Sequence, residues 1–312
     1  MVFADRLRGR AAPSARALLA RAGRLSPLMS GSGKIASQPG LRGLAIKNQP
    51  AQIVTTLRDG SRIWVEPDDY IGRTVFYFGD FDPKVTWVVQ RVLRPGDLFV
   101  DVGANIGLVS LLAARLVGPS GVVHAVEPQP RLAELIRRSA ALNSFEHVLV
   151  HEVALSDREA SVPLWLRKGH TGMATLESPF DDDGGRSIDV DTRPAAEFLA
   201  EVCSARPRLV KIDVEGHESA VMRGARTFFE RSGPDVVLFE ERGRPPGQQE
   251  TVVALESAGY SIFAIPKAKL RMGLQPLDEA QGRIASDFVA IRHDCRAARR
   301  ALGTESGFSG TR

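Results

Sequence analysis

Apolar and polar residues fall into blocks along most of the chain, and the period of the blocks changes. "AQIVTTLRDGSRIWVE" (51–66) sets β-branched residues on both sides of an Asp-Gly pair, which predicts a β-hairpin. "RTVFYFG" (73–79) reads as a further short strand, and "PKVTWVVQRVL" (83–93) as a helix opened by proline. From residue 97 a rhythm sets in. The buried-strand runs are "LFVDVG", "GVVHAVEP", "VLVHEVAL", "LVKIDVEG" and "PDVVLFEE". Helical patterns separate them: "IGLVSLLAARL", "PRLAELIRRSAALN", "PAAEFLAEV", "HESAVMRGARTFFE" and, after the last strand, "QETVVALESAG". Two strands, "YSIFAIP" and "SDFVAIR", then follow with no helix between them and are expected to pair antiparallel at one edge. Strand–helix alternation at this spacing predicts a doubly wound α/β fold with a mostly parallel sheet. The stretch between the last two strands, about residues 267–285, is long enough for a lid.

The pattern is absent at both ends. Residues 1–50 are rich in Gly, Ser, Pro, Ala and Arg; "PSARALLARAGRL" is compatible with a short helix, and the surroundings read as linker. The expected organisation is a basic, disordered arm over 1–50, lead-in strands and a helix over 51–96, the catalytic domain over 97–292, and a mobile tail over 293–312.

Charge sharpens this division. The arm holds nine Lys/Arg against one acid, Asp5, while the remaining residues hold 32 basic and 36 acidic side chains. A basic arm can meet nucleic acid or anionic membrane, but the more ordinary expectation is a solvated tail, dispensable for the core. The hydrophobic fraction of 43% is that of a protein with an ordinary core. Cys203 and Cys295 stand far apart, with no disulfide framework and no zinc-ligand spacing. No apolar run is long enough to span a membrane, and the first residues lack a secretory signal's apolar stretch. A cytoplasmic location is the default expectation.

"FVDVGANIGLVS" (99–110) carries the first candidate chemistry. A glycine turn after a central strand belongs at a ligand site in such sheets. Gly103 and Gly107 lack the spacing of a dinucleotide fingerprint, and no Lys follows as in a P-loop. Glu127, at the end of the next strand, is suited to accept hydrogen bonds from both hydroxyls of a ribose. The pair points to a nucleoside with a free ribose, a description that S-adenosyl-L-methionine fits, with Asp101 near its ammonium. "KIDVEGHE" then gathers Asp213, Glu215, His217 and Glu218 at the end of a central strand. Carboxylates there can align an acceptor, and His217 is the group whose ordinary pKa lies near neutrality. Glu218, in a first helical turn, also suits the positive helix end. His170, in "KGHTGMATL", lies in a loop over the expected entrance, and Trp64, Trp87 and Trp165 read as packing anchors. Nothing in these spacings demands a metal.

Taken together, "GDLFVDVGANIGLVSLLAA", "VEPQP", "VALSD" and "LVKIDVEGHESAVMRGA" resemble the FkbM family of S-adenosylmethionine-dependent methyltransferases over about residues 60–292. The resemblance implies a class I methyltransferase fold, a sheet of about seven strands with one antiparallel edge strand. It also implies methyl transfer to a hydroxyl, on a sugar, glycan or polyketide-type small molecule. Carried over by position, Asp101, Gly103, Ala104, Asn105 and Gly107 form the cofactor loop, and Glu127 and Pro128 the ribose turn. Ala154 to Asp157 flank the adenine, and Asp213, Glu215, Gly216 and Glu218 form the acidic signature. Asp213, Glu215 and His217 are the catalytic candidates, with Asp213 also toward the cofactor. One departure stands out: "DTRPAAEF" (191–198) replaces the family's "TLDD", which puts any acceptor contact from those acids in question. The alternatives are a non-catalytic S-adenosylmethionine-binding module and a nucleoside-cofactor transferase moving another group, such as aminopropyl. No motif for flipped nucleic-acid bases is present, and oligomeric state is left open.

Overall fold

The computed structural model describes residues 15–27, 30–47, 49–176, 186–240, 249–266, 272–277 and 286–304. Three helices come first: α1 (Ala15–Arg24), α2 (Ser32–Ala36) and α3 (Pro39–Ile46). The hairpin β1 (Ile53–Thr56) and β2 (Arg62–Val65) follows, then α4 (Tyr70–Phe78) and α5 (Pro83–Val92). The alternating part is β3 (Leu98–Val102), α6 (Leu108–Val117), β4 (Val122–Val126), α7 (Pro130–Leu142) and β5 (Val148–His151). A small excursion adds β6 (Ala154–Ser156), β7 (Ala160–Leu166) and β8 (Arg186–Pro194). The rest is α8 (Ala195–Val202), β9 (Leu209–Ile212), α9 (Glu218–Ser232), β10 (Val236–Glu240), α10 (Glu250–Ser257), β11 (Tyr260–Ala264), β12 (Gln275–Pro276), β13 (Asp287–Arg292) and α11 (Arg296–Leu302).

The main sheet has the order β12-β11-β13-β10-β9-β3-β4-β5, so strand order reverses between β3 and β9. Alternate residues of each strand enter two separate apolar layers. Phe99, Val123, Ala125 and Leu209 meet α5, α6 and α7 on one face. Val100, Val126, Val210 and Ile212 meet α8, α9 and α10 on the other. This is the class I methyltransferase arrangement expected from the resemblance. The antiparallel strand differs in place: β13 runs between β10 and β11, pairing antiparallel with both, rather than on the rim. Seating it inside buries all but the last residue of "DFVAIR", which a rim position would leave half uncovered. The long stretch expected as a lid lies largely outside the described residues; within it, β12 pairs with β11.

"RTVFYFG" is not a strand. Asp69 caps the start of α4 by accepting from the Ile71 and Gly72 amides, and Gly79 closes it in the left-handed conformation. Every residue from Ile71 to Phe78 is buried, so no polar face betrays the helical period. What covers α4 is the segment expected to be a disordered arm. Helices α1, α2 and α3 pack on it through Ala20, Ala36 and Ala45. Gly33 lies against the Tyr70 hydroxyl, and the Tyr77 hydroxyl donates to the Leu41 carbonyl at 2.7 Å. The Gly/Ala richness that reads as linker is here what lets short helices approach closely. The tail after His293 is corrected likewise: α11 buries Ala298 and Leu302 beside α5.

Deleting residues 1–47 therefore uncovers Tyr70, Tyr77 and Phe78. We expect unfolding free energy to fall by about 3 kcal/mol or more from the lost apolar burial. Urea denaturation checks this, and an unchanged midpoint would show that the helices contribute nothing to the core.

Candidate functional site

The β3–β9 switch point opens into a cavity of about 510 Å³, within the range of small-molecule sites. Its floor is built by a cross-strand pair. The parallel register sets Asp101 opposite Lys211, and both are buried. The Lys211 ammonium lies 3.1 Å from the Asp101 carboxylate, 3.6 Å from that of Asp213, and donates to the Gly103 carbonyl at 3.0 Å. Burial alone would lower the Lys211 pKa, but the two carboxylates outweigh it and hold the pKa above its usual value. The other Asp101 oxygen accepts from the Ser110 hydroxyl at 2.6 Å. Asp101 is thus behind the loop, fully buried and outside the cavity lining. The sequence reading set it beside the cofactor's ammonium; the structure sets it against Lys211.

Gly103 (φ +79°) passes so close to the Asp213 carbonyl that a Cβ would overlap it. Its amide and that of Ala104 donate to the Val126 carbonyl at 3.0 Å, which ties the loop to β4. Gly107 (φ +83°) starts α6, where a Cβ would press on Ile136 at 2.9 Å; it too is not among the lining residues. Asn105 adopts a left-handed φ of +53° without being glycine. That turn aims its amide at Glu127, which accepts at 2.8 Å. Glu127 also accepts from the Gln129 amide at 3.0 Å. Burial pushes its carboxyl up to about 7, against the lowering effect of these two amides. Each Glu127 oxygen retains acceptor capacity beyond its one amide, and the side chain lines the cavity. Ala104, Pro128, Ala154 and Leu155 line it too, whereas Ser156 and Asp157 of the expected adenine segment do not: the Ser156 hydroxyl meets His217, and Asp157 pairs with Arg223.

Asp213, Glu215 and His217 line the opposite end. Glu215 holds a left-handed φ of +50°. Glu218 does not reach the cavity; its carboxylate accepts from the Val214 and Gly216 amides and shapes the turn. His217 Nε2 lies 2.9 Å from the Ser156 hydroxyl, which joins the "VALSD" and "KIDVEGHE" segments. The end of β10 adds Glu240, missed in the sequence as one of two acids closing an ordinary strand. Oxygens of Asp213, Glu215 and Glu240 lie within 4.8 Å of one another. Beside them Lys84, buried, pairs with Asp287 and lies 3.5 Å from Asp82.

The remaining wall comes from the lead-in and the N-terminal helices. Ser30 to Lys34, Tyr70, Phe81 and Met173 line it. His170 stacks on Tyr70 with ring centroids 4.6 Å apart, so this loop is part of the wall. Burial lowers the His170 pKa. The Asp69 carboxylate that caps α4 also accepts from the Thr171 amide at 2.7 Å. The Thr171 hydroxyl in turn lies 3.4 Å from the Asn105 side-chain oxygen. Lys211 could have been found from sequence, as a charged residue inside an otherwise apolar strand run. The Tyr70–His170 contact spans a hundred residues and leaves no local signal.

Residues 101–262, more than half of the 312-residue chain, match the methyltransferase FkbM domain. "Methyltransferase 1" of Beauveria bassiana is 31% identical over 148 residues, which cover 42% of this chain and 59% of that one. The chain thus spans less than two thirds of that protein. The "31-O-demethyl-FK506 methyltransferase FkbM" of Streptomyces tacrolimicus is 28% identical over 204 residues, 55% of this chain and 75% of that one. Among solved structures, a SAM-dependent O-methyltransferase from Thermotoga maritima covers 80% of this chain and 96% of its own, at 14% identity and a TM-score of 0.39. S-adenosylmethionine is the cofactor of this class. The chain belongs to the FkbM family of S-adenosylmethionine-dependent methyltransferases.

Proposed function

We propose that this methyltransferase acts on oxygen, methylating a hydroxyl of a sugar, glycan or polyketide-type small molecule. One observation carries the reading: a single cavity is lined both by Glu127, whose oxygens retain acceptor capacity, and by the three gathered carboxylates of Asp213, Glu215 and Glu240. The bound cofactor supplies an activated methyl group on a sulfonium. With that group bound, Asp213, Glu215 and Glu240 would be the residues placed to orient an acceptor hydroxyl toward the methyl group and to take up its proton as the methyl transfers. Asp213, Glu215 and Glu240 can accept hydrogen bonds from acceptor hydroxyls and fix the attacking oxygen in line. Tyr70, Phe81 and Met173 add apolar surface to the same cavity, which suits a ring face. The name of the Streptomyces relative, a 31-O-demethyl-FK506 methyltransferase, supports an oxygen acceptor. Asp101 and Lys211 hold the loop and Asp213 in place without touching the acceptor.

His217 is the weaker candidate for the base. Its Nε2 is already engaged by Ser156, whereas Asp213, Glu215 and Glu240 bring their oxygens within 4.8 Å of one another in the cavity. Incubating the protein with labelled cofactor and a panel of hydroxylated acceptors tests the reading. Label transferred only to nitrogen or carbon, or an aminopropyl group transferred in place of methyl, would overturn it.

The raised Glu127 pKa gives a first prediction. Ribose hydroxyls donate to the carboxylate, so binding must remove the proton that Glu127 holds below pH 7. S-adenosylhomocysteine affinity should be constant above pH 7 and weaken as pH falls, by up to about tenfold per unit. Glu127→Gln should abolish this dependence and weaken binding at pH 8 by about 1.5–3 kcal/mol. Calorimetry across pH 5.5–8 checks both; a flat profile for the unmodified protein would remove Glu127 from the ribose.

The second prediction separates the ends of the cavity. Glu215→Gln should lower kcat by about 10²-fold and leave cofactor affinity unchanged. His217→Ala should cost less than Glu215→Gln. Steady-state kinetics with cofactor titrations decide the ranking, and a larger loss in His217→Ala would make the histidine the base.

A further inference from the structure

The outer surface of the N-terminal helices is unlike the rest of the molecule. Each of α1, α2 and α3 turns a small buried residue toward α4 and leaves large apolar side chains outside. Leu18 (53%), Leu19 and Leu25 (82%) are exposed along and just beyond α1, Ile35 on α2, and Leu44 and Ile46 on α3. Among the described residues, only four other large hydrophobics are as open, and one of these, Val54, lies on the adjoining hairpin. Charge coincides with this surface. Residues 15–47 contain six Lys/Arg and no acid, in a chain whose remainder after residue 50 is net acidic. Arg21, Lys34 and Lys47 are exposed on the same segment, and Arg42, also exposed, pairs with Asp68 at 3.0 Å.

We propose that this three-helix platform is a docking surface for an anionic lipid bilayer. Exposed leucines on short helices with cations interspersed match the apolar and charged layers of a membrane interface, and each favours the same orientation. The charge favours a negatively charged partner and opposes a second copy, since a two-fold contact would set basic platform against basic platform. A nucleic acid would satisfy the cations but leave the leucines in water, and among the described residues none of the exposed large hydrophobics is an aromatic ring on which a base would stack. Ser30 to Lys34, the lead into α2 and its first turn, also line the cavity. Docking through the platform therefore brings the cavity wall to the bilayer, where an acceptor carried on a lipid would be within reach. Among the described residues no helix is long and apolar enough to cross a membrane, so the contact is peripheral.

The test is flotation of the full chain with vesicles of phosphatidylcholine alone and of phosphatidylcholine mixed with phosphatidylglycerol. Binding to the mixed vesicles alone, weakening steeply as salt is raised, is the expected result. Arg16→Gln/Arg21→Gln/Lys47→Gln should reduce partitioning by about a hundredfold, from roughly fivefold per cation. Leu18→Ser/Leu19→Ser/Leu25→Ser should reduce it at least tenfold at any salt. Both variants should keep the S-adenosylhomocysteine affinity of the unmodified protein, which separates lost docking from lost fold and from any failure of the methyltransferase reading. Absence of binding by the unmodified chain to anionic vesicles would overturn the proposal without recourse to a variant. So would equal binding to neutral vesicles, a platform-dependent dimer in sedimentation, or displacement of the chain from vesicles by RNA.

Discussion

The Lys211 ammonium, sealed between Asp101, Asp213 and the Gly103 carbonyl, is the contact on which both ends of the cavity depend. It joins the cofactor loop after β3 to the acidic turn after β9 at the point where strand order reverses. A buried ion pair is weak as a source of net stability, because desolvating both charges offsets most of their attraction. Removing one partner is another matter, costing about 3–5 kcal/mol by leaving a bare charge in the interior. The arrangement therefore contributes placement more than stability. It fixes where the Gly103 carbonyl points, and with the overlapping paths of Gly103 and Asp213 it sets the two loops in one relative position.

The cofactor loop is held from the outside as well. Asn105 takes a left-handed conformation that costs a non-glycine residue energy, and its amide bond to Glu127 is part of what maintains it. Thr171 leans on Asn105 from above and is itself anchored on Asp69. Asp69 caps α4, and α4 is seated under α1, α2 and α3. A chain of contacts thus runs from the N-terminal helices to Glu127. The segment that seemed an appendage belongs to the machinery that shapes the cavity.

Charge is distributed with the same economy. Acids gather at the ends of β9 and β10 in the cavity, while the outermost helices carry cations and no acid. The acidic end is tempered by Lys84, whose burial opposes its charge less than Asp82 and Asp287 favour it.

The α/β rhythm, the glycine loop, Glu127 and the "KIDVEGHE" cluster were legible because each is local. Strand and helix periods, a turn that only glycine tolerates, and acids at strand ends are written within a few residues of one another. The sequence by itself determined the fold class and the family, and it singled out Glu127 and the Asp213–Glu218 cluster as candidates. Only the tertiary structure decided the rest. Asp101 is a plausible ligand until strand register brings Lys211 opposite it. "RTVFYFG" has no helical period because it is buried on every side, which is a property of its neighbours. The Gly- and Ala-rich N-terminus has the composition of a linker, and small residues serve equally for loose chains and for close helix contacts. Glu240, Lys84 and Asp287 stand far apart in the chain, and only the folding of the sheet brings them to one cavity.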